Sequence, residues 1–142
     1  MRAQFVVVTE CIISRNNKFL TILRPENQLG GGTISFPGGK VEIIDGNNDV
    51  DALKSSIKRE VQEEVGIILN DPVVYLTSQM FQDPITGGPA ISIIYQCTLL
   101  KTCPNIIPNP KEVLEYFWMT KDEIIAKTNI PVWTKQYITL VT

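Results

Sequence analysis

Arg59-Glu60-Val61-Gln62-Glu63-Glu64-Val65-Gly66-Ile67 sets three carboxylates at relative positions i, i+3 and i+4. On an α-helix, residues three and four apart share a face, so Glu60, Glu63 and Glu64 form one acidic patch. Like charges held this close repel, which weakens the helix unless something positive sits among them. A hard cation that prefers oxygen ligands, such as Mg²⁺, meets that need. An isolated motif of this kind is more often a solvated face, here with Lys58 and Arg59 offsetting the charge. The surrounding sequence therefore has to decide between the two.

Going outward, Ala52, Leu53, Ile57, Val61 and Val65 recur at helical spacing and form an apolar stripe. The three glutamates lie off its centre, toward a cleft or solvent. Gly66 is the expected C-terminal stop. The spacing predicts a helix start near Asn48 or Asp49, either of which can cap it, with Asp49 and Asp51 in the first turn suiting the helix dipole. Upstream stands Phe36-Pro37-Gly38-Gly39-Lys40-Val41-Glu42. Its glycines let the backbone turn tightly and come close to a ligand. A Pro-Gly-Gly taken alone is an ordinary turn.

Taken together, these stretches resemble the Nudix box of the Nudix hydrolases, the MutT-like proteins. In that family a leading Gly is followed by an acid eight residues before an Arg-Glu pair, and E-E-x-G ends the helix. Gly39 matches the leading Gly, and Arg59-Glu60, Glu63-Glu64 and Gly66-Ile67 match residue for residue. Two departures stand out. The acid eight residues before Arg59 is Asp51 where the family has Glu, and the gap from Gly39 to Asp51 is six residues longer than the usual five. The extra residues are placed in Ile43 to Val50, around Asp-Gly-Asn-Asn, which is turn chemistry in a loop that accepts insertion cheaply.

The chain as a whole narrows the chemistry. Its 142 residues are expected to form a single domain, 1–142, with enough length for a real core. The 13 basic and 15 acidic residues give a net charge of −2, which leaves no footprint for nucleic acid. No apolar run approaches a bilayer span and no export signal is visible, so the expectation is a cytoplasmic protein with no membrane partner. Cys11, Cys97 and Cys103 lack metal-ligand spacing and read as small buried residues in a reducing compartment. There is no histidine, so carboxylates, lysine, tyrosine or a metal must carry any acid–base work.

Strands are predicted over Phe5–Ile13, Phe19–Leu23, Ile34–Phe36, Val73–Phe81, Ala90–Leu100 and Tyr116–Met119. The first two pair as a hairpin across the turn Arg15-Asn16-Asn17-Lys18. Leu29 to Thr33 is a glycine-rich connector, and Pro104 to Pro110 an extended loop. Thr120 and Glu123 make a capping box for a helix through Lys127, and Pro131 opens a last helix to about Leu140. Strands around one long helix argue for an α+β fold, and the resemblance implies the Nudix-type α/β/α sandwich with a mixed sheet. Tyr75, Phe81 and Tyr95 are expected in the core rather than stacked on a base.

The resemblance implies a Mg²⁺-dependent pyrophosphohydrolase, with Mn²⁺ as a substitute, acting on a nucleotide or nucleotide-sugar. Its metal ligands would be Glu60, Glu63, Glu64, the Gly38 carbonyl and a loop glutamate, for which Glu112 fits better than Glu115. Arg59 would orient the glutamates by ion pairing, and a box carboxylate or Glu112 would act as base. Arg24 at its strand end either meets phosphate or is simply solvated. Lys40 either contacts phosphate or is exposed, and Gly39 lies beside the substrate. The substrate candidates are a nucleoside triphosphate, oxidised ones included, or an ADP-ribose-like diphosphate. The alternative is a Nudix-fold binding or regulatory module without catalysis, favoured only by Asp51 and the insertion. A homodimer is left open.

Overall fold

The computed structural model describes residues 2–26, 31–47, 50–100 and 105–141. Seven strands and three α-helices follow one another as β1 (Val6–Arg15), β2 (Lys18–Leu23), β3 (Ile34–Ser35), β4 (Gly38–Lys40), α1 (Ala52–Val65), β5 (Val74–Gln82), β6 (Pro89–Thr98), β7 (Glu115–Thr120), α2 (Lys121–Ala126) and α3 (Val132–Thr139). A 3₁₀ turn, Ile43–Gly46, precedes α1.

β1 organises the sheet. It runs parallel to β6 from Val6 opposite Ala90 to Ser14 opposite Thr98, and β5 continues antiparallel beyond β6. Its other edge is divided. Ser14 and Arg15 pair with Phe19 and Lys18 of β2, through a turn in which Asn16 and Asn17 both take positive φ, a conformation asparagine tolerates. Nearer its start, Val8, Thr9 and Glu10 pair with Lys40, Gly39 and Gly38 of β4. Residues 34–40 thus cross from β2, through Ile34 and Ser35, to β1. After a bend at Pro37, Gly38 and Gly39 run extended in β4 rather than making the ordinary turn of a Pro-Gly-Gly, with the Gly38 backbone pressed against β1: a Cβ there would run into the Thr9 carbonyl. β7 pairs along β2 and completes the mixed sheet.

Strand periodicity sorts the core onto two faces. Cys11 and Ile13 pack with Ile57, Val61 and Val65 of α1, while Ile12 packs with Ile124 of α2 and with Tyr137 and Ile138 of α3. The result is the expected α/β/α sandwich. Cys11 and Cys97 are buried and free, as expected. Cys103 lies outside the described residues. The Thr120–Glu123 capping box opens α2. α1 begins later than predicted. Asp51 is its N-cap, its side chain accepting from the Lys54 N–H, so it caps the helix rather than sitting in its first turn. Asn48 and Asp49 lie outside the described residues. Gly66 ends α1 at φ 74°, the left-handed conformation a C-cap requires. No helix among the described residues is long and apolar enough to cross a membrane.

Candidate active site

Two turns of α1 meet β4 where β4 has no side chains. Gly39 leaves room for the Glu60 carboxylate: a Cβ at Gly39 would come within 2.5 Å of its carboxyl carbon. The Gly38 N–H donates to Glu64 Oε1 at 2.8 Å. The two glycines thus let two buried acids lie directly against a strand backbone. From the loop before β7, Glu112 reaches the same spot. Glu60, Glu64 and Glu112 each offer a carboxylate oxygen within 4.8 Å of the others. Glu112 Oε2 is buried with no hydrogen-bond partner among the described residues. Three carboxylates converging with an orphaned acceptor are a hard-oxygen donor set, which fits Mg²⁺ or Mn²⁺.

The placement departs from the expected set in three ways. Glu63 is outside the cluster. It is exposed, and its carboxylate accepts from Arg59 at 3.1 Å. An i, i+3, i+4 pattern puts three side chains on one face, but that face is wider than one ion, and only Glu60 and Glu64 turn inward past β4. Arg24 neither meets solvent nor stands free for phosphate. It is buried, donating to Ser35 Oγ at 2.8 Å, Glu64 Oε2 at 2.9 Å, the Phe36 carbonyl at 3.0 Å and the Gly38 carbonyl at 3.1 Å. It is the internal counter-charge of Glu64, and it also occupies the Gly38 carbonyl expected to face a metal.

The third departure concerns the box acid. Asp45, in the stretch where the insertion was expected, is buried and receives Arg59 through both oxygens, from Nε at 2.7 Å and from Nη2 at 3.1 Å. Arg59 in turn donates to Glu60 at 3.0 Å and to the Lys40 carbonyl at 3.2 Å. Asp45 follows Gly39 after five residues, the usual gap. The insertion therefore falls between Asp45 and Arg59, not between Gly39 and the acid, and Asp51 serves the helix end instead. Counting forward from Gly39 finds Asp45; counting back from Arg59 finds Asp51. Lys40 is exposed at the cavity edge, and Glu115 is exposed at the start of β7.

Burial sets the electrostatics. Burial, and next the neighbouring Glu64 charge, push Glu60 up to about 7, against the pull of Arg59. Glu64 is also raised, by burial, against Arg24 and the Gly38 N–H. Glu10 on β1, likewise buried, is pushed up to about 7 by its burial, which outweighs Arg24. Asp45 is held below its usual range, chiefly by its hydrogen bond from Arg59.

A folded-state pKa above the unfolded one means the folded chain binds more protons between the two values. The stability from Glu10 and Glu60 is full below about pH 4.5 and is lost as pH rises through about 7, and Glu64, also raised, acts in the same direction. In chelator, the urea midpoint is expected to fall between about pH 5.5 and pH 8, and added Mg²⁺ is expected to restore stability most at the upper end. A metal-free midpoint that rises over this interval would contradict the assignment.

The acid cluster forms one end of a cavity of about 590 Å³ that continues over β1, β6 and β5 beneath α3. Phe81 is half-buried and lines it, while Tyr95 is in the core and meets the exposed Tyr75 edge-on.

Known proteins resemble this chain in sequence and in fold. The family model for the NUDIX domain matches residues 4–141. The 8-oxo-dGTP diphosphatase of Proteus vulgaris is 28% identical over 118 residues, which are 82% of this chain and 78% of that protein. The MutT NUDIX hydrolase of Burkholderia pseudomallei shares the fold with a TM-score of 0.76 at 22% identity, covering 98% of this chain and 99% of that one. The MutT protein of Methanosarcina mazei Go1 does so with a TM-score of 0.76 at 22% identity, over 98% and 94% of the two chains. With the NUDIX match spanning almost the whole sequence, and the box helix set against a di-glycine strand, the chain belongs to the Nudix hydrolases, among their MutT-like members.

Proposed function

We propose that this Nudix hydrolase cleaves the diphosphate linkage of a nucleoside triphosphate, oxidised ones included, in a reaction that depends on Mg²⁺ or Mn²⁺. The observation that carries the reading is the convergence of Glu60, Glu64 and Glu112 at one end of a nucleotide-sized cavity. The likeness to an 8-oxo-dGTP diphosphatase favours a triphosphate over an ADP-ribose-like compound.

Glu60 and Glu64 would hold the cation, each backed by an arginine, Arg59 and Arg24. The bound ion supplies positive charge against the phosphate oxygens and a more acidic water. The chain's own groups do the rest. Arg59, fixed by Asp45, keeps the Glu60 carboxylate in place. Lys40, exposed at the cavity edge, offers charge to the phosphates. With no histidine in the chain, the proton of the attacking water goes to a carboxylate, and Glu112 has the oxygen without a partner. Asp45, paired with Arg59 at the usual distance from Gly39, weighs against the non-catalytic alternative, which keeps only the Asp-for-Glu change and the insertion after it.

The test is a panel of nucleoside triphosphates and nucleoside diphosphate sugars, with Mg²⁺ and with chelator. Cation-dependent release of a nucleoside monophosphate from a triphosphate is the expected result. Turnover of the sugar-linked compounds alone would overturn the substrate class, and turnover unaffected by chelator would overturn the metal's part.

A further inference from the structure

Glu112 comes from the loop before β7, and backbone hydrogen bonds hold that loop to the acid-bearing helix. α1 ends at Val65, and the last carbonyls of a helix have no partner within it. Two of them are filled from this loop. The Ile107 N–H donates to the Val65 carbonyl at 2.9 Å, and the Asn109 N–H donates to the Glu64 carbonyl at 2.9 Å. Gly66 lets the loop come this close, since a Cβ there would stand 3.0 Å from Ile107 Cβ. The far end of the loop is held too. The Leu114 N–H donates to the Leu23 carbonyl of β2 at 2.9 Å, and Val113 is buried in the same core as Val61 and Val65.

Between these anchors stands one turn, Asn109-Pro110-Lys111-Glu112. Proline in its second place presets the backbone, and asparagine in its first place can accept from the chain two residues on. The Asn109 carbonyl accepts from the Glu112 N–H at 3.0 Å and from the Val113 N–H at 2.8 Å. Its side-chain Oδ1 accepts from the Lys111 N–H at 3.1 Å. Asn109 therefore fixes three consecutive amides, and the middle one belongs to Glu112. A relay of two hydrogen bonds, from Glu112 to Asn109 and from Asn109 to Glu64, joins two of the three residues whose carboxylates converge. Glu112 Oε2 is buried with no hydrogen-bond partner among the described residues, so its place is set by the backbone beneath it.

We propose that Asn109 is a positioning residue for the reaction: through the turn it closes, it aims the unpartnered Glu112 oxygen at the attacking water. The inference rests on the hydrolase reading above, and its test separates the two. In that reading the water oxygen bonds to phosphorus, the bridging phosphorus–oxygen bond breaks with its electron pair leaving on the departing phosphate, and the water's proton goes to Glu112. Asn109 touches none of the reacting atoms and acts only through Glu112.

Asn109→Leu keeps the size and removes the side-chain acceptor, whereas Asn109→Asp keeps an oxygen in the same place. With a nucleoside triphosphate at saturating Mg²⁺, Asn109→Leu is expected to lower kcat by about tenfold or more with KM little changed, because a misaimed base costs rate rather than binding. Asn109→Asp should recover most of that loss. The deciding comparison is a double-mutant cycle. In Glu112→Gln protein, Asn109→Leu should cost no more than about a further twofold, since the group it aims is gone. Amide hydrogen exchange gives a readout that needs no turnover: the Glu112 and Val113 amides should be protected in the unaltered protein and in Asn109→Asp, and should exchange faster in Asn109→Leu. Equal losses from Asn109→Leu with and without the Glu112 carboxylate would show a structural role alone and overturn the proposal. Unprotected amides in the unaltered protein would overturn it as well. Full kcat in Asn109→Leu would overturn it while leaving the hydrolase reading intact. No cation-dependent turnover of any triphosphate by the unaltered protein would overturn the hydrolase reading, and the catalytic part of the proposal with it.

Discussion

Glu60→Gln is expected to lower kcat by about 10²–10³-fold, the usual cost of removing one well-placed electrostatic contact from an enclosed site. Mg²⁺ affinity should fall with it. The substitution preserves size, so the space under Gly39 stays filled and the Val61 packing beside it is undisturbed. Only the charge goes, and with it one of the three carboxylates that would face the cation. Burial and neighbouring acid already penalise the charge at this position, holding the carboxyl up to about 7. The neutral amide should therefore make the metal-free protein more stable at pH 8, while its response to Mg²⁺ shrinks. Steady-state kinetics, a Mg²⁺ titration and urea melts check all three on one variant. Activity kept within a few-fold would mean that Glu60 is a buried structural acid and not a ligand.

Arg24→Met is the second large effect, and it falls on stability. Arg24 is buried with Glu64, the two side chains being 10% and 3% exposed, so solvent screens their interaction little. Removing the cation leaves Glu64, and Glu10 near it, without its counter-charge. It also strips donors from Ser35 Oγ and from the Phe36 and Gly38 carbonyls. Breaking a buried pair from one side costs about 3–5 kcal/mol, read as a lower urea midpoint. Arg24→Lys should recover little, because one ammonium group cannot reproduce a planar fork spread over four acceptors. A stable Arg24→Met protein whose only defect is a raised KM would return Arg24 to the phosphate-contact role read from its strand-end position.

The difference between the two readings of Arg24 shows what a sequence carries. Residue spacing determined the local elements. The stripe at Leu53, Ile57, Val61 and Val65 made α1, a β-branched apolar run made β1, Thr120 and Glu123 opened α2, and Gly66 closed α1, because each depends on neighbours within a few residues. The acid-rich turn of α1 and the preceding glycines were legible for the same reason, and they were enough to reach the family. Tertiary structure decided which acids meet. Glu63 is closer in sequence to Glu60 than Glu64 is, yet it faces Arg59, since only the helix direction passing β4 buries two carboxylates. Glu112 lies 48 residues beyond Glu64 and joins it through the way the loop returns to α1, where the Asn109 N–H donates to the Glu64 carbonyl at 2.9 Å.

Asp45 was visible in the sequence but indistinguishable from the turn residues around it, because its meaning depends on Arg59 being folded against it. The cavity beyond the acids was not legible at all. Gln79, Ser92, Glu10 and Tyr137 come from three strands and a helix, and only the pairing register of β1, β6 and β5, with α3 over it, sets them along one cavity. Register between strands far apart in sequence is set by how the whole sheet buries its faces, a constraint no single segment contains.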